Sequence, residues 1–160
     1  MIPRVGEAIR ARKRYRLRPG IYGLLLHGRS VVLTHQMAPT PEFQLPGGGI
    51  DPGEHSIQAL HREVLEETGW RMRVDRRLGA FRRFVYMPEY DLWAEKLCAI
   101  YLCRAAHAVA PPSEPGHTAH IVPLELACEI LGNPGDRLFL RRVSARLERV
   151  IQPRRWHPRD

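Results

Sequence analysis

No stretch of this sequence approaches the roughly 20 apolar residues that a membrane-spanning helix needs. The run around Leu24-Leu25-Leu26 is short. The opening residues, Met1-Ile2-Pro3-Arg4, lack the apolar core of a secretory signal. Cysteine is scarce: Cys98, Cys103 and Cys128 are the only three. The number is odd and no Cys-x-x-Cys pair exists, which argues against a disulfide framework or a thiolate zinc site. All three read as small buried hydrophobes. The histidines at 27, 35, 55, 61, 107, 117, 120 and 157 form no metal-spaced motif. Internal repeats and low-complexity tracts are lacking too. The expectation is a protein of the reducing cytoplasm with no membrane partner.

What is present is ordinary globular material. With 160 residues, 44% hydrophobic and 26% charged, the chain fits one domain over 1–160 and is long enough to bury a core. The formal net charge is +8. Much of it lies at the ends, in Arg10, Arg12, Lys13, Arg14, Arg16 and Arg18, and in Arg154, Arg155 and Arg159. A basic surface favours polyanions such as nucleotides, RNA or phosphorylated metabolites. Solvated charge that keeps the protein soluble explains the same ends equally well.

Local patterns give a coarse layout. Ile21 to His27 is nearly continuous apolar, and Ser30 to Thr34 is a β-branched run after Gly28-Arg29. Together they predict a hairpin. Met37 to Glu42 reads as a loop. Asp51-Pro52-Gly53-Glu54 supplies helix start signals, and a helix is predicted from about His55 to Thr68, ended by Gly69. Strands are expected at Leu78–Tyr86, Leu92–Arg104 and Ile121-Val122, and helices at Leu124–Leu131 and Arg137–Ile151. Strands mixed with a few helices suggest a mixed sheet covered on both faces.

The central helix carries the chemistry. Ile57, Leu60, Val64 and Leu65 form an apolar stripe that must face the sheet, and His61 falls on that side as a partly buried histidine. Glu63, Glu66 and Glu67 have i, i+3, i+4 spacing and share a neighbouring face. Like charges so placed repel by roughly 0.2–0.5 kcal/mol per pair. A hard divalent cation reverses that sign, because carboxylate oxygens are its preferred ligands. Arg62 is placed to orient Glu63 through a charge-assisted hydrogen bond. Glu54 stands at the helix entrance beside Gly47-Gly48-Gly49, where sharp turns and close approach of a ligand to the main chain are allowed. A Glu-x-x-Glu-Glu alone is usually a solvated face, and three glycines alone are usually a turn. The combination carries the information.

That combination resembles the Nudix box. Gly48, Glu54, Arg62, Glu63, Glu66, Glu67 and Gly69 stand at its spacing. At roughly 1 in 20 per position, a chance match is of order 10⁻⁹ per start. Val64 fits the apolar slot, whereas Trp70 is larger than the aliphatic residue usual at the end. The motif covers 48–70, and the order of elements resembles the family over about 18–150. The resemblance implies an α/β/α sandwich with a mixed sheet. It also implies hydrolysis of nucleoside diphosphates linked to another group, with magnesium, or alternatively manganese, as cofactor. Position by position, Glu66 and Glu67 would be the main metal ligands. Glu63 would bind metal or act as general base, with Arg62 holding it. A carbonyl of Gly47 or Gly48 would complete the shell, and Glu54 would play a secondary catalytic role. An acidic residue beyond the box would be Glu114, with Glu95 behind it. The mechanism implies turnover at alkaline-leaning pH that stops with a chelator.

Substrate choice is less legible. Tyr86 lies about sixteen residues past the box, where the diadenosine polyphosphate branch carries a tyrosine; the ADP-ribose branch has proline one position earlier, and here Val85 stands there. Packing of Tyr86 on the core explains it as well. Phe84, Tyr86 or Trp93 could stack on a base, and Gly48 could meet phosphate. One of His117 and His120, which flank the Glu114 loop, could touch substrate. Two rival readings are a non-cutting nucleotide sensor or RNA-binding module, and a hydrolase of RNA 5′ ends. The family resemblance is compatible with a homodimer.

Overall fold

The computed structural model describes residues 1–151. One mixed sheet runs through it, made of β1 (Arg4–Val5), β2 (Arg16–His27), β3 (Ser30–Gln36), β4 (Glu42–Gln44), β5 (Gly47–Gly49), β6 (Trp70–Met87), β7 (Leu92–Ala108) and β8 (His117–Pro123). The order is β1-β6-β7-β2-β3-β4, with β5 added to β2 and β8 to β3. The β2/β7 and β1/β6 pairs are parallel and the others antiparallel. Among the described residues three α-helices complete the fold: α1 (Ser56–Thr68), α2 (Leu124–Ile130) and α3 (Pro134–Ile151).

Alternation along β2 explains the layers. Ile21 and Leu25 point one way, into a core with Ala59, Leu60 and Val64 of α1. Leu24 and Leu26 point the other way, into a core with Leu124, Ala127, Phe139, Leu140 and Val143 of α2 and α3. A strand buried on both faces has no polar side to show, hence its continuous apolar run. The expected α/β sandwich is therefore what forms.

Several bounds differ from the sequence expectation. The predicted hairpin is present, with His27 opposite Ser30, but β2 begins five residues earlier, at Arg16. β6 begins at Trp70 rather than Leu78, because its arginine-rich first half still pairs with β7 through three register shifts. β8 runs from His117, and α3 starts at Pro134, where a proline in the first turn costs no hydrogen bond. The three glycines are not a turn; they form β5 along β2, Gly48 opposite Ile21.

α1 starts as its sequence predicts, one residue late. His55 is the N-cap, its Nδ1 accepting from the Ile57 amide at 3.2 Å. Its buried side differs in detail. Ala59 is buried, Leu65 only partly, and His61 is exposed rather than half-buried. Gly69 ends the helix at φ 72°, its amide bonded to the Leu65 carbonyl at 2.8 Å. A Cβ there would strike the Ala110 carbonyl. Gly69→Ala is thus expected to cost at least about 1–2 kcal/mol, from αL strain alone. Thermal denaturation measures it; an unchanged Tm would mean the Ala110 segment yields freely.

Cys98 and Cys103 are buried as expected, while Cys128 on α2 is only partly so. Arg154, Arg155, Arg159 and His157 lie outside the described residues. Among the described residues, no helix is long and apolar enough to cross a membrane.

Candidate active site

Arg62 is the hub of a carboxylate cluster. Its Nε donates to Glu54 Oε1 at 2.8 Å and its Nη2 to Glu54 Oε2 at 3.0 Å, a two-point fork. Its Nη1 donates to Glu63 Oε1 at 3.0 Å and to Glu66 Oε2 at 3.1 Å. The Gly49 carbonyl accepts from Nη2 at 3.4 Å. Hydrogen bonds from Arg62 hold Glu54 below the usual carboxylate range, and the same acids hold the guanidinium protonated.

Glu67 stands apart from this arginine. It is buried, at 7% exposure, whereas helix geometry alone puts it beside the partly exposed Glu66. Its Oε2 accepts from the Gly47 amide at 3.1 Å. Its Oε1 lies 3.8 Å from His117 Nδ1, which shares a 2.8 Å hydrogen bond with Thr34 Oγ1. Burial lowers the His117 pKa, so this neighbour is a weak source of positive charge. Burial pushes Glu67 up to about 8, the Gly47 bond opposing it and Glu63, Glu114 and Glu66 adding to it. Glu63 is raised too, mainly by burial and against the pull of Arg62.

The glycine strand makes this proximity feasible. A Cβ on Gly48 would sit 2.6 Å from the Glu63 carboxyl carbon. Only glycine lets α1 lay that carboxylate on the main chain. The loop before β8 closes the far end, the Ser113 and Glu114 amides donating to the Glu66 carbonyl at 2.8 and 2.9 Å. That brings Glu114 close enough to raise the pKa values of Glu63 and Glu67. Glu95 is elsewhere: it pairs with Arg82 at 3.4 Å.

A cleft of about 760 Å³ opens beside these groups, walled at one end by Gly47, Gly48, Glu63, Glu67 and His117. Tyr86 and Trp93 line it further out. Tyr86 is 43% exposed and its hydroxyl donates to Asp91. Phe84 is not placed to stack on a ligand. It is buried edge-on against Tyr15, with ring centroids 5.1 Å apart. The Trp93 ring already carries the Arg10 guanidinium at 4.9 Å and the Lys13 ammonium at 5.2 Å.

The residues suit a hard cation in donor type and charge. All are oxygen donors, and among the described residues Glu67 is a buried carboxylate with no arginine or lysine paired to it, a costly state that a divalent ion would relieve. Among the described residues, no three acidic, imidazole or thiol side chains converge as a ready-made cage. Arg62 lies among the carboxylates and takes the oxygens a cation would take.

A glycine strand against a glutamate helix, at the end of a mixed sheet with helices on both faces, coincides with a family match: the NUDIX domain model covers residues 16–143. The chain belongs to the NUDIX family. Among curated relatives, it is 32% identical over 74 residues to the "Putative 8-oxo-dGTP diphosphatase" of Bacillus subtilis (strain 168), covering 46% of this chain and 50% of that one. It is 49% identical over 49 residues to the RNA pyrophosphohydrolase of Afipia carboxidovorans, 31% of this chain and 30% of that one. The chain thus spans half or less of these relatives' lengths. A solved NUDIX hydrolase from Nitrosomonas europaea superposes with TM-score 0.67 at 15% identity, covering 86% of this chain and 97% of that one. A MutT NUDIX hydrolase from Burkholderia pseudomallei gives 0.63 at 22% identity, covering 80% and 98%. At such identities the likeness concerns the fold.

Within this NUDIX domain, three features escaped the sequence. Thr34 is an ordinary strand residue until β8 brings His117 against it. Asp136 is fully buried at the start of α3, its Oδ2 accepting from the Leu45 amide at 3.1 Å, just before the glycines. Burial pushes it up to about 7. Arg83 and Lys96 line the cleft, although only the charges at the ends stood out in the sequence.

Proposed function

We propose that this chain hydrolyses a diphosphate linkage in a nucleoside diphosphate joined to another group, using magnesium or manganese. One observation carries the reading: the buried Glu67 carboxylate, with no arginine or lysine paired to it among the described residues, beside Glu63 and the glycine strand at the wall of an open cleft. Glu66, Glu67 and Glu63, with a Gly47 or Gly48 carbonyl and Glu114, would hold the metal. Bound there, it would neutralise phosphate oxygens and make a bound water more acidic.

The remaining work falls to side chains. Glu63, whose burial makes it more basic than an exposed carboxylate, accepts the proton of the attacking water. The water oxygen bonds to phosphorus as the bridging P–O bond breaks, and the leaving phosphate departs as an anion. Arg62 fixes the Glu63 carboxylate and ties it to Glu54. Tyr86 is the aromatic wall available to a base. The relatives, one named for an oxidised deoxynucleoside triphosphate and one for RNA, support a nucleotide-type substrate. Free cysteines fit a reducing cytoplasm.

The test is a hydrolysis panel with magnesium, repeated in chelator, over nucleotide sugars, dinucleoside polyphosphates, nucleoside triphosphates and 5′-triphosphorylated RNA. Glu63→Gln is expected to lower kcat by about 10²–10⁴-fold with little change in KM. Undiminished turnover in chelator, or in this variant, overturns the reading.

A further inference from the structure

Three cations stand side by side across the sheet, on the face that lines the cleft. Lys96 of β7 is in register with Arg18 of β2 on one side and with Arg83 of β6 on the other. All three line the cleft that holds Glu63 and Glu67. Like charges directly opposite on neighbouring strands destabilise a sheet, and here the opposition is repeated on both sides of Lys96. Among the described residues, none of the three has a carboxylate within ion-pair distance. The adjoining Arg82, on the opposite face, does have one in Glu95. Arg83 Nε is shut off from solvent and lacks a hydrogen-bond partner among the described residues. Asp136, the nearby buried acid, is engaged with the Leu45 amide. Arg18 stacks over the Tyr90 ring at 4.8 Å, and Asp136 lies near Lys96 and Arg83, but among the described residues no ion pair neutralises the row, and an anion in the cleft would.

The row has a defined place relative to the carboxylates. Gly20 of β2 is opposite Gly49, and Arg18 precedes it by two residues on the same face. At about 3.3 Å per residue, Arg18 lies roughly 7 Å along β2 from the glycine strand. At about 4.8 Å between strands, the row extends roughly 10 Å across the sheet. A short chain of phosphates leaving the Gly48–Glu63 end would run onto it.

We propose that Arg18, Lys96 and Arg83 form a polyphosphate subsite, selecting substrates with at least one phosphate beyond the diphosphate that is cut. This rests on the hydrolytic reading above and names the substrate class for it: nucleoside triphosphates, or RNA 5′ ends bearing the same triphosphate, over two-phosphate nucleotide sugars. The cations bind non-bridging oxygens of the extra phosphates by charge-assisted hydrogen bonds. They take no part in proton transfer.

The first measurement needs no turnover. With chelator present, inorganic tripolyphosphate should raise the wild-type Tm more than orthophosphate does at equal ionic strength. Arg83→Gln and Lys96→Gln should each weaken tripolyphosphate binding about 10-fold, corresponding to roughly 1.4 kcal/mol. Lys96→Arg should retain most of it, and Arg82→Gln, which removes a cation from the other face, should retain all of it. The second measurement is kcat/KM for a nucleoside triphosphate, a 5′-triphosphorylated oligonucleotide and a nucleotide sugar. Wild type should favour one or both triphosphates, and the ratio to the nucleotide sugar should fall about 10-fold in each Gln variant. The arm that loses its advantage identifies the bearer of the chain. Equal losses on all substrates, or tripolyphosphate binding that ignores Arg83 and Lys96, overturn the proposal. Tripolyphosphate binding without hydrolysis of any substrate would leave the subsite standing and remove the hydrolytic reading.

Discussion

Glu67→Gln should abolish metal-dependent hydrolysis and, at the same time, make the metal-free protein more stable at pH 8. The two effects share one cause. Glu67 is 7% exposed and its carboxyl is pushed up to about 8 by burial. An unfolded glutamate titrates near 4.3. The folded state therefore binds the extra proton over the window from about 4.3 to about 8. Stability is fully present below that window and is lost as pH rises through it. Glutamine cannot ionise, and its oxygen can still accept from the Gly47 amide. Wild type and variant should match near pH 4 and separate by about 5 kcal/mol above pH 8, the variant being the more stable. Magnesium narrows that gap. At about 100 times its Kd it adds roughly 2.7 kcal/mol to wild type and much less to the variant. Denaturation across pH 4–9, with and without magnesium, measures all of this. A pH-independent difference between the two proteins would mean that the Glu67 charge is already compensated, and the metal argument would fall with it.

This tension also bears on what the sequence could say. Spacing put Glu63, Glu66 and Glu67 on one side of a helix, and they are there. It could not say that they have different surroundings. Glu66 meets Arg62 near solvent, Glu63 lies on the Gly48 backbone, and Glu67 turns inward to the Gly47 amide and His117. Those differences come from β5 and β8, elements that lie outside the helix and reach it only through the fold, beyond the reach of local periodicity. The hairpin, α1 and its Gly69 stop were legible because their causes are local: turn residues, amphipathic spacing and an αL terminator. The early start of β6 was not, because arginines in its first half look like a solvated segment until β7 offers its edge. Phe84 and Tyr86 share one face of their strand, and the sequence treated them alike. Tyr15, arriving from before β2, covers the first and leaves the second exposed. The cation row is the clearest case. Arg18, Arg83 and Lys96 are unremarkable singly, and only strand register makes them neighbours.

Arg62→Lys keeps the charge and should still cost about 10–100-fold in kcat, the range for groups that hold a reacting or metal-binding side chain in place. A guanidinium meets Glu54 with two parallel bonds while its third nitrogen meets Glu63 and Glu66. A lysine ammonium is a single point on a flexible stem and cannot span the same set. It would draw towards one carboxylate and release the others, so Glu63 loses its fixed orientation. Stability should fall by about 1–3 kcal/mol at neutral pH, the worth of one or two charge-assisted hydrogen bonds. The loss should itself depend on pH. Glu54 is held below the usual carboxylate range chiefly by Arg62, so its contribution is present above about pH 4.3 and disappears as acid protonates it in the folded protein. The gap in Tm between wild type and variant should therefore narrow below about pH 4. A gap that persists in acid would mean Arg62 acts by packing, through its aliphatic stem, rather than through the carboxylates. Magnesium titration separates a further consequence. Arg62 occupies oxygens of Glu63 and Glu66 that a cation needs, so loosening it should leave metal affinity unchanged or tighter while turnover drops. A parallel fall in affinity and kcat would show that the arginine's orienting hold on Glu63 and Glu66 outweighs its competition for their oxygens.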